Sequence, residues 1–415
     1  MRLALIRQRY TPFGGAERFV ENAFEALLER NVAITLYARQ WPETRLKLIE
    51  PVIVNPFFIG RTWRDWGFAR AVSREVSRAK IDIVQSHERL TTCDVYRAGD
   101  GVHAVWLDER LKDAGWWART SVALSPWHRY TLAAERKLFA SPLLQAVICN
   151  STMVRDELVE RFAVPPEKLR VIVNAVDTQQ FSPALRSSRA ATRNELRIAD
   201  DATVFLFIGS GFERKGVATA IEALATLPPT ACLVVVGRDK SIDRYRSLAR
   251  RLGVADRVLL VGPRIDVKPY LGAADAFVLP TIYDPLPNAA LEAMACALPV
   301  VTTVKSGVAP LLRERGAGFV VASRDAAALG EKMRVLLDAP LRERMGANAR
   351  DAVLPLTPEA MTLALVLLYK ELLEGSALKQ KQDAERKLRA HYEAWDAKVG
   401  AQPKKPVRPD EGPAS

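Results

Sequence analysis

Short apolar runs alternate with segments whose apolar residues recur every three or four positions, and this alternation covers most of the chain. In the first half, 2–8 reads as a strand and Gly14-Gly15 as a tight loop. Residues 16–30 carry Phe19, Val20, Ala23, Phe24, Leu27 and Leu28 at helical spacing. Strands are expected at 32–38, at 81–85 (ending in Ser86-His87-Glu88), at 146–150 and at 169–174. Helices are expected at 63–79 and at 151–162, the latter capped by Ser151. A second series follows, with strands at 203–208, 231–236, 258–261, 276–279, 299–303 and 318–321 and helices at 217–227, 242–252 and 267–274. Strands alternating with helices predict two doubly wound, mostly parallel α/β halves, which bind ligands beyond the carboxyl ends of their strands. That rule picks out Gly14, Gly15, His87, Asp100 and Ser151 in the first half.

Length agrees with two such halves. The chain has 415 residues, 49% of them hydrophobic, enough for two full cores and a tail. The expected division is 1–178, then 184–355, with an apolar helix at 359–374. After Gly375 the composition turns to Lys, Arg, Glu and Ala, and 376–415 reads as a charged helical, then disordered, tail. The most apolar stretch, 352–369, is broken by Pro355 and Pro358, and Arg2, Arg7 and Arg9 interrupt the first strand, which reads as a strand and not a secretory signal. The expectation is a cytoplasmic chain. Cys93, Cys149, Cys232 and Cys296 have no metal or redox spacing and read as small buried residues.

Two stretches carry candidate chemistry. Residues 283–294 place Asp284 in a Pro-rich turn after an apolar strand and Glu292 about one turn into a helix whose expected cap is Asn288. Free N–H groups and the helix dipole favour a phosphate at such a start. The two carboxylates suit hydroxyls on either side of it, which together describe a nucleotide sugar. Residues 209–216, Gly-Ser-Gly-Phe-Glu-Arg-Lys-Gly, also join a strand to a helix. Val217 and Ala218 follow the last Gly, so this is not a P-loop, and the third Gly is displaced from the dinucleotide pattern. Arg214 and Lys215 remain as cations for a diphosphate, each worth roughly 4 kcal/mol at 4 Å and an effective dielectric near 20. No Gly-x-Ser-x-Gly elbow is present, the four His lack triad or metal spacing, and no Asp-x-Asp pair offers a cation site.

These stretches resemble the donor site of retaining GT-B glycosyltransferases of the family four type. The acidic residue, seven intervening residues and Glu before Ala-Met-Ala and Leu-Pro-Val are matched by Asp284 to Val300. The first acid of that pattern is usually Glu, and Asp284 bears on the donor sugar more than on the reaction. The resemblance implies two Rossmann-like domains facing a cleft, with helix 359–374 crossing back to the first. It implies that Glu292 holds ribose hydroxyls, Asp284 sugar hydroxyls, and Gly209, Arg214 and Lys215 the diphosphate. Backbone N–H groups of Asn288, Ala289 and Ala290 approach the donor, and Arg264 or Ile265 approaches the base. On the acceptor side, Gly14 and Gly15 match a glycine loop that also nears the donor phosphates. Asp100 and His103 resemble residues that meet the reacting sugar.

Residues 102–142 hold Trp106, Trp116, Trp117, Trp127 and Tyr130 among Arg110, Lys112, Arg119, Arg129, Arg136 and Lys137. Amphipathic aromatics with basic neighbours suit a membrane surface, and the net charge of +12 attracts anions. Nucleic acid lacks support, since no zinc-finger, helix-turn-helix or RNA-binding signature is present. With this segment, residues 1–374 are similar to glucosyltransferases of the lipopolysaccharide core. The resemblance implies a metal-independent hexosyltransferase with no cofactor, using UDP-glucose and a lipid-linked glycan acceptor at the cytoplasmic face of the inner membrane. The competing expectations are an epimerase or phosphorylase of the same architecture, and a non-catalytic glycan- or membrane-binding protein.

Overall fold

The structure is a computed structural model that describes residues 1–9, 32–41 and 51–375. The Gly14-Gly15 loop, the helix expected at 16–30 and the tail at 376–415 lie outside the described residues. Residues 1–366 form one compact unit, and of a second, 367–415, the described part is helical.

The first unit contains two parallel sheets. Strands β1 (Arg2–Ile6), β2 (Ala33–Ala38), β3 (Val52–Ile53), β4 (Ile83–Ser86), β5 (Val95–Arg97), β6 (Ala146–Cys149) and β7 (Leu169–Val171) are ordered β3-β2-β1-β4-β5-β6-β7. Strands β8 (Thr203–Ile208), β9 (Ala231–Val236), β10 (Val258–Gly262), β11 (Ala276–Leu279), β12 (Val300–Thr303) and β13 (Gly318–Val321) are ordered β10-β9-β8-β11-β12-β13. Every pairing is parallel. Each sheet reverses its winding once, between β1 and β4 and between β8 and β11, and the carboxyl ends at those points are where α/β sheets hold ligands.

Parallel strands covered on both faces read as continuous apolar runs. β9, Ala-Cys-Leu-Val-Val-Val, is buried throughout, and all six strands expected in the second half are present. One core cluster, with Phe205, Phe207, Phe212, Ile221, Phe277 and Leu291, fills that half. In the first half β3 and β5 were not expected: the one has two residues, and the other ends in a charged side chain, Arg97, that is nevertheless buried. The helix expected at 63–79 spans Gly60–Arg78. All four cysteines are buried and free.

A buried ion pair ties the entry of the second half to its sheet. Asp275, just before β11, accepts from Arg189 and Arg193, both at 2.7 Å, and from the Val204 backbone N–H at 2.8 Å. With Arg193 and Asp275 almost fully covered, losing either partner would strand a charge, an effect of about 3–5 kcal/mol.

The apolar stretch near the end lies in a helical run, Ala339–Gly375, long and apolar enough to cross a membrane by length and composition. Residues 354–357 interrupt it, and Met345, Ala349, Val353, Met361 and Leu365 are buried, as in core helices.

Candidate active site

The site grows from the β8/β11 switch point. The chain leaves β8 at Gly209, makes the single turn Phe212–Lys215, and enters the helix Val217–Ala225 through Gly216. Gly216 has φ +81°, and a Cβ there would run into the Pro280 carbonyl, so only glycine allows this approach. The loop after β11 is fastened beside it. Arg214 O accepts from Ile282 N at 2.8 Å and from Thr281 Oγ1 at 3.0 Å, while Thr303 Oγ1 donates to Thr281 O at 2.6 Å.

This brings Lys215 and Asp284, 69 positions apart in sequence, together with Arg214. Lys215 Nζ lies 2.5 Å from Asp284 Oδ2, and Arg214 lies 3.8 Å from the same oxygen while donating to Tyr283 O at 3.0 Å. Burial pushes the Asp284 carboxyl upward, but Lys215 and then Arg214 outweigh it and hold the group below the usual carboxylate range. Lys215 is therefore fixed by Asp284, and Arg214, more than a third exposed, reaches outward.

The helix that follows is Asn288–Ala295, with Pro287 and not Asn288 at its N-cap. Asn288 is instead the first helical residue, and its Oδ1 accepts from Asn174 Nδ2 at 2.7 Å; Asn174 Oδ1 in turn accepts from the buried Arg97 at 2.5 Å. Glu292 is 4% exposed and faces the same cleft as Asn288 and Ala289; Ala290 is fully buried and is not among the lining residues.

The cleft encloses about 920 Å³, within the ordinary range for ligand sites. Gly209, Arg214, Lys215, Arg264, Asp284, Asn288, Ala289 and Glu292 line one side; Arg89, Arg97, Asp100, His103, Trp106 and Trp127 line the other. Arg264 donates to Tyr270 Oη at 2.9 Å, and Ile265 beside it is 92% exposed. Of the other residues expected to face a cleft, His87 is buried beside Gln85, 3.3 Å away, and Gly15 lies outside the described residues. Among the described residues no three His, Cys, Asp or Glu side chains cluster as a metal site.

Several contacts that sequence reasoning missed join the two sides. Tyr283 Oη accepts from Val102 N at 2.8 Å and donates to Glu157 Oε2 at 2.8 Å, while Lys305 reaches Glu157 Oε1 at 3.2 Å. Ser151, expected as a helix cap, does accept from Val154 N, and its hydroxyl also donates to Pro285 O at 2.7 Å. Glu135, 1% exposed, accepts from His103 N at 2.6 Å, Ala104 N at 3.1 Å and Arg89 Nε at 3.1 Å, so it binds the start of the helix His103–Leu111. The spacing Thr131, Glu135, Leu138 along one buried helical stripe was the available signal. Asp100 meets Arg7 at 3.4 Å. The Asp100 side chain is 58% exposed; its place in the cleft raises the carboxyl, but Arg7, Arg89 and Arg97 hold it below its ordinary value.

The aromatic segment divides in two, which corrects its reading as one surface. Trp106 and Trp127 line the cleft, and Trp127 donates to Asp65 Oδ2 at 2.8 Å under the Arg61 guanidinium. Trp116 and Trp117 stack on each other, 61% and 72% exposed, on a helix, Trp116–Leu124, that buries no residue. Arg119 and Arg129 are exposed nearby in sequence.

Two facing Rossmann-like halves with a diphosphate-type loop and paired acids in the second define a GT-B glycosyltransferase, and the chain belongs to that class. Residues 13–180 match Glycosyltransferase Family 4, and residues 188–352 match Glycosyl transferases group 1. The chain is 27% identical over 357 residues to the lipopolysaccharide glucosyltransferase WaaG of Escherichia coli K12, covering 84% of this chain and 93% of WaaG. It is 28% identical to the lipopolysaccharide core biosynthesis glycosyltransferase LpsE of Rhizobium meliloti, covering 86% and 95%. The crystal structure of WaaG superposes with a TM-score of 0.75 at 26% identity, covering 87% of this chain and 99% of WaaG. Anabaena HepE, solved with UDP-glucose, shares the fold with a TM-score of 0.68 at 18% identity, covering 90% and 100%.

Proposed function

We propose that the protein transfers a hexose, glucose in preference, from a UDP-sugar to a lipid-linked glycan of the lipopolysaccharide core, with retention of configuration and without a metal. The observation that carries this reading is the Lys215–Asp284 pair at the switch point, with Arg214 and Glu292 facing the same cleft. Arg214 and Lys215 take the diphosphate and neutralise the charge that builds on it as the sugar leaves, the task a divalent cation performs elsewhere. Glu292 takes the ribose hydroxyls and Asp284 the sugar hydroxyls, with the N–H groups of Asn288 and Ala289 at the donor and Arg264 or Ile265 at the base. The C1–O bond to the diphosphate breaks, the acceptor oxygen bonds to C1 on the same face, and the acceptor proton passes to the departing phosphate oxygen. No protein nucleophile is required. Asp284 is held by Lys215 and Asp100 by Arg7, which supports their positioning sugars over attacking them. The names of WaaG and LpsE supply the acceptor class and, for WaaG, the glucose.

The test is transfer from radiolabelled UDP-glucose to core-truncated lipopolysaccharide in the presence of a chelator, with product anomer read by NMR. Label in the glycan with α configuration is expected. Isomerised UDP-sugar without transfer would establish an epimerase, and neither transfer nor slow donor hydrolysis would leave a binding protein.

The protein is proposed to work on the cytoplasmic face of the inner membrane, its contact made by Trp116, Trp117 and the exposed Arg119 and Arg129. Replacing both Trp116 and Trp117 by Ser is expected to weaken cosedimentation with vesicles containing anionic lipid by roughly 10-fold or more, since each buried aromatic contributes about 1.5–3 kcal/mol. Turnover on a water-soluble acceptor should stay unchanged, because neither side chain lines the cleft.

A further inference from the structure

We propose that His128 is a positioning residue: one ring-to-ring hydrogen bond between the two fixes the orientation of His103, at the acceptor side of the cleft, and couples its tautomer to that of His128. His103 Nε2 lies 3.0 Å from His128 Nδ1, with the rings stacked at 5.2 Å between centroids and 22° between planes. His103 lines the cleft and His128 stands behind it. The inference rests on the reading that places His103 against the reacting sugar.

The surroundings leave His103 little freedom. Its backbone N–H and that of Ala104 are both held by Glu135. Trp127 meets its ring edge-on at 5.2 Å and is itself pinned by Arg61 and Asp65. His128 N donates to Ser125 Oγ, the cap of its own helix, Pro126–Phe139. Only one proton fits between two ring nitrogens 3.0 Å apart, so the tautomers of the two neutral rings are coupled. His103 Nδ1, the ring nitrogen outside this bond, is therefore an acceptor when His103 Nε2 carries the shared proton and a donor when His128 Nδ1 carries it, so the character a sugar hydroxyl meets is set jointly with His128.

The charged and titratable groups facing the pair keep it neutral. Burial, then Arg89, His128 and Arg61, lower His103 to about 3, and burial, Arg110 and Arg61 lower His128. Glu135 is committed to backbone N–H groups and to Arg89.

The test compares His128→Ala and His128→Asn with the unaltered full-length enzyme. Outer partners that orient metal-bound histidines are worth roughly 10–100-fold, and that scale is adopted for the pair here. His128→Ala is expected to lower kcat by that factor at unchanged KM for the donor, and to move the acid limb of the pH profile upward as one of the groups lowering His103 is lost. His128→Asn, with a polar atom near the Nδ1 position, should recover most of the rate. With four His in the chain, ¹⁵N spectra should show a different ratio of the two neutral His103 tautomers in His128→Ala from that in the unaltered enzyme. Full kcat with an unchanged His103 signal in His128→Ala, beside an inactive His103→Ala, would overturn the proposal alone. Folded Asn and Ala variants equally slow would also overturn it, as a packing role. Undiminished turnover in His103→Ala would overturn the placement of His103 at the sugar, and the proposal with it.

Discussion

Lys215→Ala is expected to lower transfer by at least roughly 10²–10³-fold, the cost of removing one preorganised stabiliser of developing charge. The substitution acts twice. It removes a cation from the proposed diphosphate site, and it leaves Asp284, which is 5% exposed, with the Leu286 backbone N–H and Arg214, 3.8 Å away. Breaking one side of a buried pair costs about 3–5 kcal/mol, so lost activity alone would not separate chemistry from unfolding. The double variant Lys215→Met/Asp284→Asn removes both charges and should regain most of the melting temperature without regaining turnover. Restored turnover in that variant would refute the electrostatic role. The pair also has a pH signature. Asp284 is held below its unfolded value, so its contribution to stability is complete above the ordinary carboxylate range, about 3.9, and is lost as pH falls through the lower folded value. Lys215→Ala should therefore flatten the acid side of the stability profile.

Glu292→Ala is expected to weaken UDP binding by roughly 10²–10⁴-fold, since two hydrogen bonds from ribose hydroxyls to a carboxylate are worth about 1.5–3 kcal/mol each. Calorimetric titration with UDP alone checks this without acceptor or turnover. The helix Asn288–Ala295 packs into the core through Leu291 and Met294, so the melting temperature should change little. Unchanged UDP affinity would move the nucleotide away from Glu292 and undermine the donor site as a whole.

The second half was the more legible because a parallel sheet covered on both faces writes itself as unbroken apolar runs, and because its two chemical loops lie at strand ends. The first half disguised itself. Arg97 closes a short strand, and Glu135 sits in a helix whose exposed face carries Arg136 and Lys137, so a buried carboxylate looked like one more solvated charge. Pairings such as Tyr283 with Glu157 or Asn174 with Asn288 leave no spacing to read, since they arise only when the two sheets face each other. The tryptophans show the same limit: Trp116 and Trp127 are alike in a composition window, yet one is exposed and the other is walled in by Arg61 and Asp65.

Tyr283 stands next to Asp284, and its hydroxyl is one of several polar fastenings between the lobes, with Ser151 on Pro285, Asn174 on Asn288, Lys305 on Glu157 and Glu109, and Arg324 on Glu109 O and Asp113. Each hydrogen bond between neutral groups contributes about 0.5–1.5 kcal/mol net, so the closure is spread over several contacts. The seam is thus buttoned at many points, and undoing one button leaves the rest fastened.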